Sequence, residues 1–291
     1  MWRRLLLLLA GLLLGTGTTT ASDRFEQGLL WEISRPGVAA NYVFGTMHVA
    51  DPRVLALRPE VEQAFAAART FILELYPDEA VAHRFSEASL LEGSQRLSQL
   101  VPHTTFEAVV EHLAEHGIGR DVAERLKPWA ALLISTEHPT TEGASLDITL
   151  YTRARFANKR IEELDTVEEQ IAVFDSLPLD TQVALLTHAL AQHARLDEAT
   201  EETIGAYLRG DLAQLDALAW RNGGGTRGEP SHYARFEKKV IQDRSVVMAY
   251  RLEPHLRRGA TFAAVGALHL YGETGLLKLL QDVGWSVRRL P

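Results

Sequence analysis

Tyr42-Val43-Phe44-Gly45-Thr46-Met47-His48 and Phe262-Ala263-Ala264-Val265-Gly266-Ala267-Leu268-His269 decide how this chain is read. Each is an apolar run of strand type and length, closed by Gly-x-x-His. A loop, an amphipathic helical segment and a second apolar run follow each copy. In the first copy the helix spans about Pro59 to Arg69 and the second run Thr70 to Leu75. In the second the helix spans about Gly275 to Val283 and the run Trp285 to Leu290. The repeat predicts an α/β fold whose central sheet is built from β–α–β units at the two ends of the chain. Gly45 and Gly266 would let the backbone leave the strand with positive φ, or pass close to a ligand where a Cβ would clash. The histidine three positions on is then tethered at the rim of the sheet, where open α/β sheets bind ligands. If the two runs are neighbouring parallel strands, both imidazoles face one crevice. That requires the two chain ends to meet.

Working outward, Leu29 to Ile33 reads as a strand, Arg35-Pro36-Gly37 as a turn, and Asn41 to Thr46 as the returning partner of a hairpin. Glu74 interrupts the apolar run Phe71-Ile72-Leu73-Glu74-Leu75 and leaves two readings open. It shares an outward face with Ile72, or it is a site carboxylate at the end of a strand in the same unit as His48. From Pro77 to about Ala260 the pattern turns helical and forms a large insert between the two units. Helical periodicity covers Phe106 to His116, Val122 to Thr136, Leu146 to Phe156, Val167 to Asp175, Asp180 to Leu208 and Asp211 to Ala219. One strand is expected near Lys159 to Glu162, and Asn222 to Pro230 reads as a loop. The helix about Tyr233 to Leu256 is densely charged, Arg244 included, and pattern alone favours a solvated face for most of those charges.

At 291 residues and 46% apolar, the chain can bury a substantial core. A net charge of −8 argues against a nucleic-acid partner, which would need a basic face. Met1-Trp2-Arg3-Arg4, the apolar Leu5 to Leu14, and Thr19-Thr20-Ala21 have the layout of a signal peptide cleaved after Ala21. The expected product is one domain over residues 22–291, periplasmic or secreted, with no membrane span once the signal is removed. An uncleaved N-terminal anchor is the alternative. The absence of cysteine excludes disulfides, thiolate nucleophiles and thiolate metal ligands.

Two imidazoles and a carboxylate make a first shell for zinc, and also suit manganese, cobalt or iron. His48, His269 and Glu74 would supply it, with Glu273 as a further carboxylate. Water in the open position would ionise near neutrality, and a nearby carboxylate could act as general base. The bland alternative is that each histidine only caps its strand. Elsewhere, His112 and His116 share a helix face in Glu111-His112-Leu113-Ala114-Glu115-His116. Leu113 stands where metalloprotease helices place glutamate, so this pair reads as a solvated face. His188 and His193 are five apart and do not align on a helix. No Gly-x-Ser-x-Gly elbow occurs, and Gly223-Gly224-Gly225 lacks the lysine of a phosphate loop.

Gly45-Thr46-Met47-His48-Val49, Glu74 in its apolar run, and Val265-Gly266-Ala267-Leu268-His269-Leu270 resemble the TraB/GumN family. So do Leu146-Asp147, Glu163-Leu164-Asp165-Thr166-Val167-Glu168-Glu169-Gln170, Phe174-Asp175-Ser176-Leu177-Pro178, and the stretch from Arg244 to Gly272-x-x-Gly275. The resemblance covers nearly the whole mature chain. It implies an active site of paired histidines, the glutamate after the first motif and the arginine before the second, at His48, His269, Glu74 and Arg244. It also implies kinship with exported bacterial proteins and the metal-dependent Tiki proteases of animals. Three positions depart from the family's usual pattern: Asp165 replaces glutamate, Ser245 follows Arg244 in place of asparagine, and Leu268 replaces glycine. The expectation is therefore an exported metal-dependent hydrolase of peptides, with zinc, manganese or cobalt held by His48, His269 and Glu74. Arg244 would stabilise an oxyanion or orient a carboxylate. Family membership does not fix activity. A non-catalytic protein binding a peptide or envelope component in the same crevice is one alternative, and a haem or iron carrier is another.

Overall fold

A computed structural model describes residues 25–137 and 143–291. The expected signal segment and its cleavage residue Ala21 lie outside the described residues. Among the described residues, six strands form one mixed sheet: β1 Leu30–Ser34, β2 Asn41–Thr46, β3 Thr70–Leu73, β4 Arg160–Glu163, β5 Thr261–Gly266 and β6 Ser286–Arg289. Their spatial order is β4-β3-β5-β2-β1-β6. The two Gly-x-x-His runs are neighbours: β2 and β5 pair in parallel, with Gly45 opposite Val265 and Thr46 opposite Gly266. β3 joins β5 in parallel on its other side, and β4 follows β3. β1 is antiparallel to both β2 and β6, so β6 runs in the direction of β2.

The two β–α–β units interleave. Helix Pro59–Ala67 carries the chain from β2 across β5 to β3, and helix Leu276–Asp282 carries it from β5 past β2 and β1 to β6. The first crossover begins at Pro59, pre-set for a first helical turn, with Glu60 and Glu62 at its positive end. It buries Val61, Ala64 and Phe65. Phe65 meets Phe262 edge-on at 5.4 Å, and Phe71 stacks on Phe262 at 6.4 Å. Each such ring, fully buried, contributes roughly 1.5–3 kcal/mol. Parallel strands covered on both faces should read as continuous apolar runs, and Thr261 to Val265 and Phe71 to Leu73 are buried throughout. The edge strands β4 and β6 carry Arg160, Glu162, Glu163, Arg288 and Arg289, which discourage pairing with another chain.

The insert is helical with one strand, as its periodicity indicates. Helices Leu146–Phe156 and Val167–Asp175 match expectation residue for residue. The second is fixed by a capping box in which the Thr166 hydroxyl accepts from the Glu169 N–H while the Glu169 carboxylate accepts from the Thr166 N–H. Two expected helices are broken. Val122 to Thr136 divides into Arg120–Ala123 and Pro128–Ser135, because Pro128 starts a new helix. Asp180 to Leu208 divides into Leu179–Ala191 and Leu196–Leu208, around a 3₁₀ turn at His193–Arg195. The sheet core is joined by a second apolar cluster in the helical layer, centred on Trp129, Phe106, Leu113 and Leu186.

Candidate active site

Four parallel strands deliver four ionisable side chains to one rim. His48 lies two residues past β2, Glu74 directly follows β3, Asp165 lies two past β4, and His269 closes the 3₁₀ turn Ala267–His269 after β5. This is the carboxyl edge, where the sequence placed the crevice. His48, Glu74 and His269 border a cavity of about 290 Å³ shared with Arg244, Gly266 and Tyr207, and Asp165 reaches it through its bond with Arg244. Helix Leu196–Leu208 is fastened over it by the Tyr207 hydroxyl, which donates to the Gly45 carbonyl at 2.9 Å.

The motif glycines serve close approach. Neither Gly45 nor Gly266 has positive φ, and Gly266 sits at φ −53°. A Cβ on Gly45 would lie 2.8 Å from the Leu270 side chain and 3.1 Å from the Ala267 backbone, so a larger residue would push the two motifs apart. A Cβ on Gly266 would lie 3.3 Å from Glu74 Oε1, 3.6 Å from the His269 ring and 3.8 Å from His48 Nε2. Gly266 thus marks the point around which the two imidazoles and the carboxylate converge. Leu268, where the family has glycine, is part of the 3₁₀ turn and lines the cavity wall.

Both imidazoles are oriented from behind. His48 Nδ1 is 2.7 Å from Asp147 Oδ2, and Asp147 Oδ1 accepts from the Thr46 hydroxyl at 2.5 Å. A carboxylate only accepts, so His48 donates through Nδ1 and turns Nε2 to the cavity. The Asp147 hydrogen bond raises the His48 pKa to about 9. His269 Nδ1 is 2.9 Å from Ser245 Oγ, whose own hydrogen goes to the Ile241 carbonyl at 2.7 Å. Ser245 therefore accepts from Nδ1–H, and His269 Nε2 keeps its lone pair. Burial depresses His269 to about 4, so its ring is neutral at neutral pH.

Arg244 is the centre of the charge network. Its Nη2 donates to Glu74 Oε2 at 2.5 Å and to Asp165 Oδ2 at 2.6 Å, Nε donates to Asp165 Oδ2 at 2.9 Å, and Nη1 approaches His269 Nε2 at 3.3 Å. Glu74 Oε1 accepts from the Gly266 N–H at 2.7 Å. Burial opposes ionisation of Glu74, but His269, Arg244, His48 and that N–H outweigh it and hold the carboxyl below its usual range. Burial shifts Asp165 the other way, upward, with Arg244 opposing. A π-helix, Lys238–Asp243, immediately precedes Arg244 and sets the phase at which Arg244 and Ser245 enter the site. Glu74 and Arg244 are therefore interior groups, and the solvated-face readings do not hold for them.

Glu273 is not part of this cluster. It is exposed and lines a separate cavity with Asp216, Glu237 and Gln242. A 3₁₀ turn ends at His269, so four further residues carry Glu273 beyond the rim. Asp147, Asp165 and Ser245 contact His48, Arg244 and His269 but were not among the expected site residues; their signal was membership of the stretches that carry the family resemblance. The His112–His116 face is also not as expected. His112 is 3% exposed and packs on His193.

The TraB/PrgY/gumN family model matches residues 29–289. The Danio rerio protein named Metalloprotease TIKI2 is 25% identical over 328 residues, covering 93% of this chain. The match covers 62% of that relative, so the chain spans less than two thirds of its length. No solved structure matches the chain.

Proposed function

The chain belongs to the TraB/PrgY/gumN family, and from that membership and the site's geometry we propose that it is an exported metal-dependent hydrolase acting on peptides. The observation that supports this most is the convergence on Gly266: His48 Nε2, His269 and Glu74 Oε1 face one point, and each imidazole is fixed through its Nδ1. Metal-binding histidines have that second hydrogen bond almost always, because it sets tautomer and ring direction. The donor types suit zinc, manganese or cobalt; His269 Nε2 lies 3.9 Å from Glu74 Oε1, and His48 would complete the set by closing on that pair. Such an ion, when bound, would lower the pKa of a coordinated water towards neutrality.

The chain's own groups divide the remaining work. Asp147 and Ser245 hold the rings. Glu74, pinned by Gly266 N–H and Arg244, is a third ligand or the base that takes a proton from water. Arg244 is already flanked by Glu74 and Asp165, so it positions Glu74 and can turn one N–H towards a developing oxyanion only by leaving His269. Met47, Leu215, Ala219 and Ile241 give the cavity an apolar wall for a peptide side chain. Residues 1–21 would direct export and residues 22–291 would form the folded unit. No helix of the described residues is long and apolar enough to cross a membrane.

A second reading, peptide capture without turnover, is favoured by the Arg244 contact to His269 Nε2, which occupies the lone pair a metal needs. Metal content separates the two. Tag-free protein should lose one equivalent of metal in both His48→Ala and His269→Ala, together with metal-dependent cleavage of a peptide library. Unchanged metal content in both variants, with unchanged peptide binding, would reject the hydrolase.

A further inference from the structure

Three more histidines gather in the helical layer. His112 and Glu115 stand one turn apart on helix His103–Glu115, His116 follows at its end, and His193 enters from the 3₁₀ turn between helices Leu179–Ala191 and Leu196–Leu208. The His112 and His193 rings are 3.9 Å apart and those of His112 and His116 5.4 Å. Glu115 faces both elements, 3.8 Å from His112 Nδ1 and 3.7 Å from His193 Nε2. Among the described residues, His112, Glu115 and His193 form the one trio of such side chains whose ligand atoms all lie within 4.8 Å of one another.

The cluster is short of partners. Six buried side-chain nitrogen or oxygen atoms among the described residues lack a hydrogen bond, and four of them are here: both His112 nitrogens, His116 Nε2 and His193 Nδ1. Protein interiors seldom leave such atoms unpaired, and a concentration of them calls for a ligand. From the geometry we infer that His112, Glu115 and His193 bind a second divalent transition metal of the zinc class, separate from the cleft.

Three arguments support the assignment. Tetrahedral zinc at usual bond lengths separates its ligand atoms by about 3.3 Å; one Glu115 oxygen lies 3.8 Å from His112 Nδ1, the other 3.7 Å from His193 Nε2, and one atom from each side chain lies within 4.8 Å of the rest. His112 is buried, and neither of its ring nitrogens has a hydrogen-bond partner, so a nitrogen is available to an ion. Glu115 is exposed and His193 partly so, which leaves a path for the ion and a fourth position for water or His116. The ion would tie helix His103–Glu115 to the start of the helix whose Thr203 and Tyr207 line the cleft. It is a structural staple, and it explains why the chain breaks helix at His193, where no glycine or proline stands.

Zinc chloride is the probe, with the whole mature chain stripped by chelator and free of affinity tag. The His48→Ala/His269→Ala protein, with the cleft ligands gone, should retain one zinc per chain after gel filtration and show a zinc-dependent rise in melting temperature. Adding His193→Ala should abolish both, and Glu115→Gln, which barely alters shape, should do the same if alanine at 193 impairs folding. A cooperatively melting His48→Ala/His269→Ala protein that binds no zinc overturns the inference, and so does zinc that survives both His193→Ala and Glu115→Gln. Failure of the hydrolase reading has a different signature: wild type then holds one zinc, lost in His193→Ala and untouched by His48→Ala/His269→Ala.

Discussion

The cleft histidines and the helical-layer histidines are built on opposite plans. His48 and His269 each have one nitrogen committed to a neighbour, Asp147 or Ser245, and the other turned into a cavity. His112, His116 and His193 have their rings against one another and leave most of their nitrogens unsatisfied. In the cleft, charge is balanced internally: Arg244 lies between Glu74 and Asp165, with the three side chains 14%, 11% and 5% exposed. In the helical layer Glu115 is the acidic partner, and it is exposed. The difference teaches that a prebuilt network can hold a site's shape without an ion, whereas a cluster of orphaned rings needs one.

The largest predicted effect tests that balance. Arg244→Met leaves two buried carboxylates facing each other without a cation, and should destabilise the chain by about 3–5 kcal/mol in urea unfolding. His112→Leu in the metal-free protein should change stability by under about 1 kcal/mol, since it replaces an unpaired imidazole with an apolar side chain. If the two variants shift the urea midpoint equally, the contrast between the regions fails.

Next in size is Asp147→Asn. The amide keeps the shape but can no longer hold His48 Nδ1–H as a charged acceptor, and loss of such an outer partner commonly weakens metal binding 10–100-fold. Titration calorimetry should find that loss at the cleft and none in the helical layer. Equal weakening at both would show that the sites are coupled.

A smaller effect, read in metal-free protein, carries opposite signs in the two regions. Burial depresses His112, so below pH about 6.5 the unfolded chain binds a proton that the native ring refuses, and stability falls as the pH falls. Asp147 raises His48 to about 9, so the native state holds its proton longer than the unfolded one. That contribution is present below pH about 6.5 and is lost as the pH rises through about 9. Urea midpoints from pH 5 to 10 should show His112→Leu flattening the acid limb and His48→Ala the alkaline limb. Exchange of the two effects would invert the assignments.

The sequence announced the cleft because each of its two histidines stands three residues after a glycine that closes an apolar run. An apolar run of strand length and a Gly-x-x-His ending locate His48 and His269 without knowledge of the packing, and the parallel β2–β5 pair brings them together. Glu74 and Arg244 were ambiguous, because exposure depends on what lies across the cleft. Asp147 could not be assigned by spacing at all: it is 99 residues from the ring it holds. Glu273 was misread because a 3₁₀ turn carries the chain past the rim. His112 was misread for the opposite reason: charged neighbours on a helix suggest solvent, but the face is covered by His193, at a helix break without glycine or proline.

The finest test concerns Ser245, which stands where the family usually has asparagine. Its hydroxyl accepts from His269 Nδ1–H and passes its own hydrogen to the Ile241 carbonyl. Ser245→Ala removes the acceptor, yet Ile241 stays close enough to take up part of the role, so the expected loss is about 0.5–1 kcal/mol of stability. The informative readout is nuclear magnetic resonance of the His269 ring. In wild type Nδ1 carries the proton; in the alanine variant the tautomers should mix, and metal affinity at the cleft should fall with them. Ser245→Asn, whose amide oxygen can accept the same hydrogen, should restore both. A His269 ring whose tautomer is indifferent to position 245 would mean that Arg244, reaching Nε2 at 3.3 Å, is what orients it. The cleft would then be held from its cavity side, as a ligand-free binding pocket is, and the contrast with the helical layer would narrow.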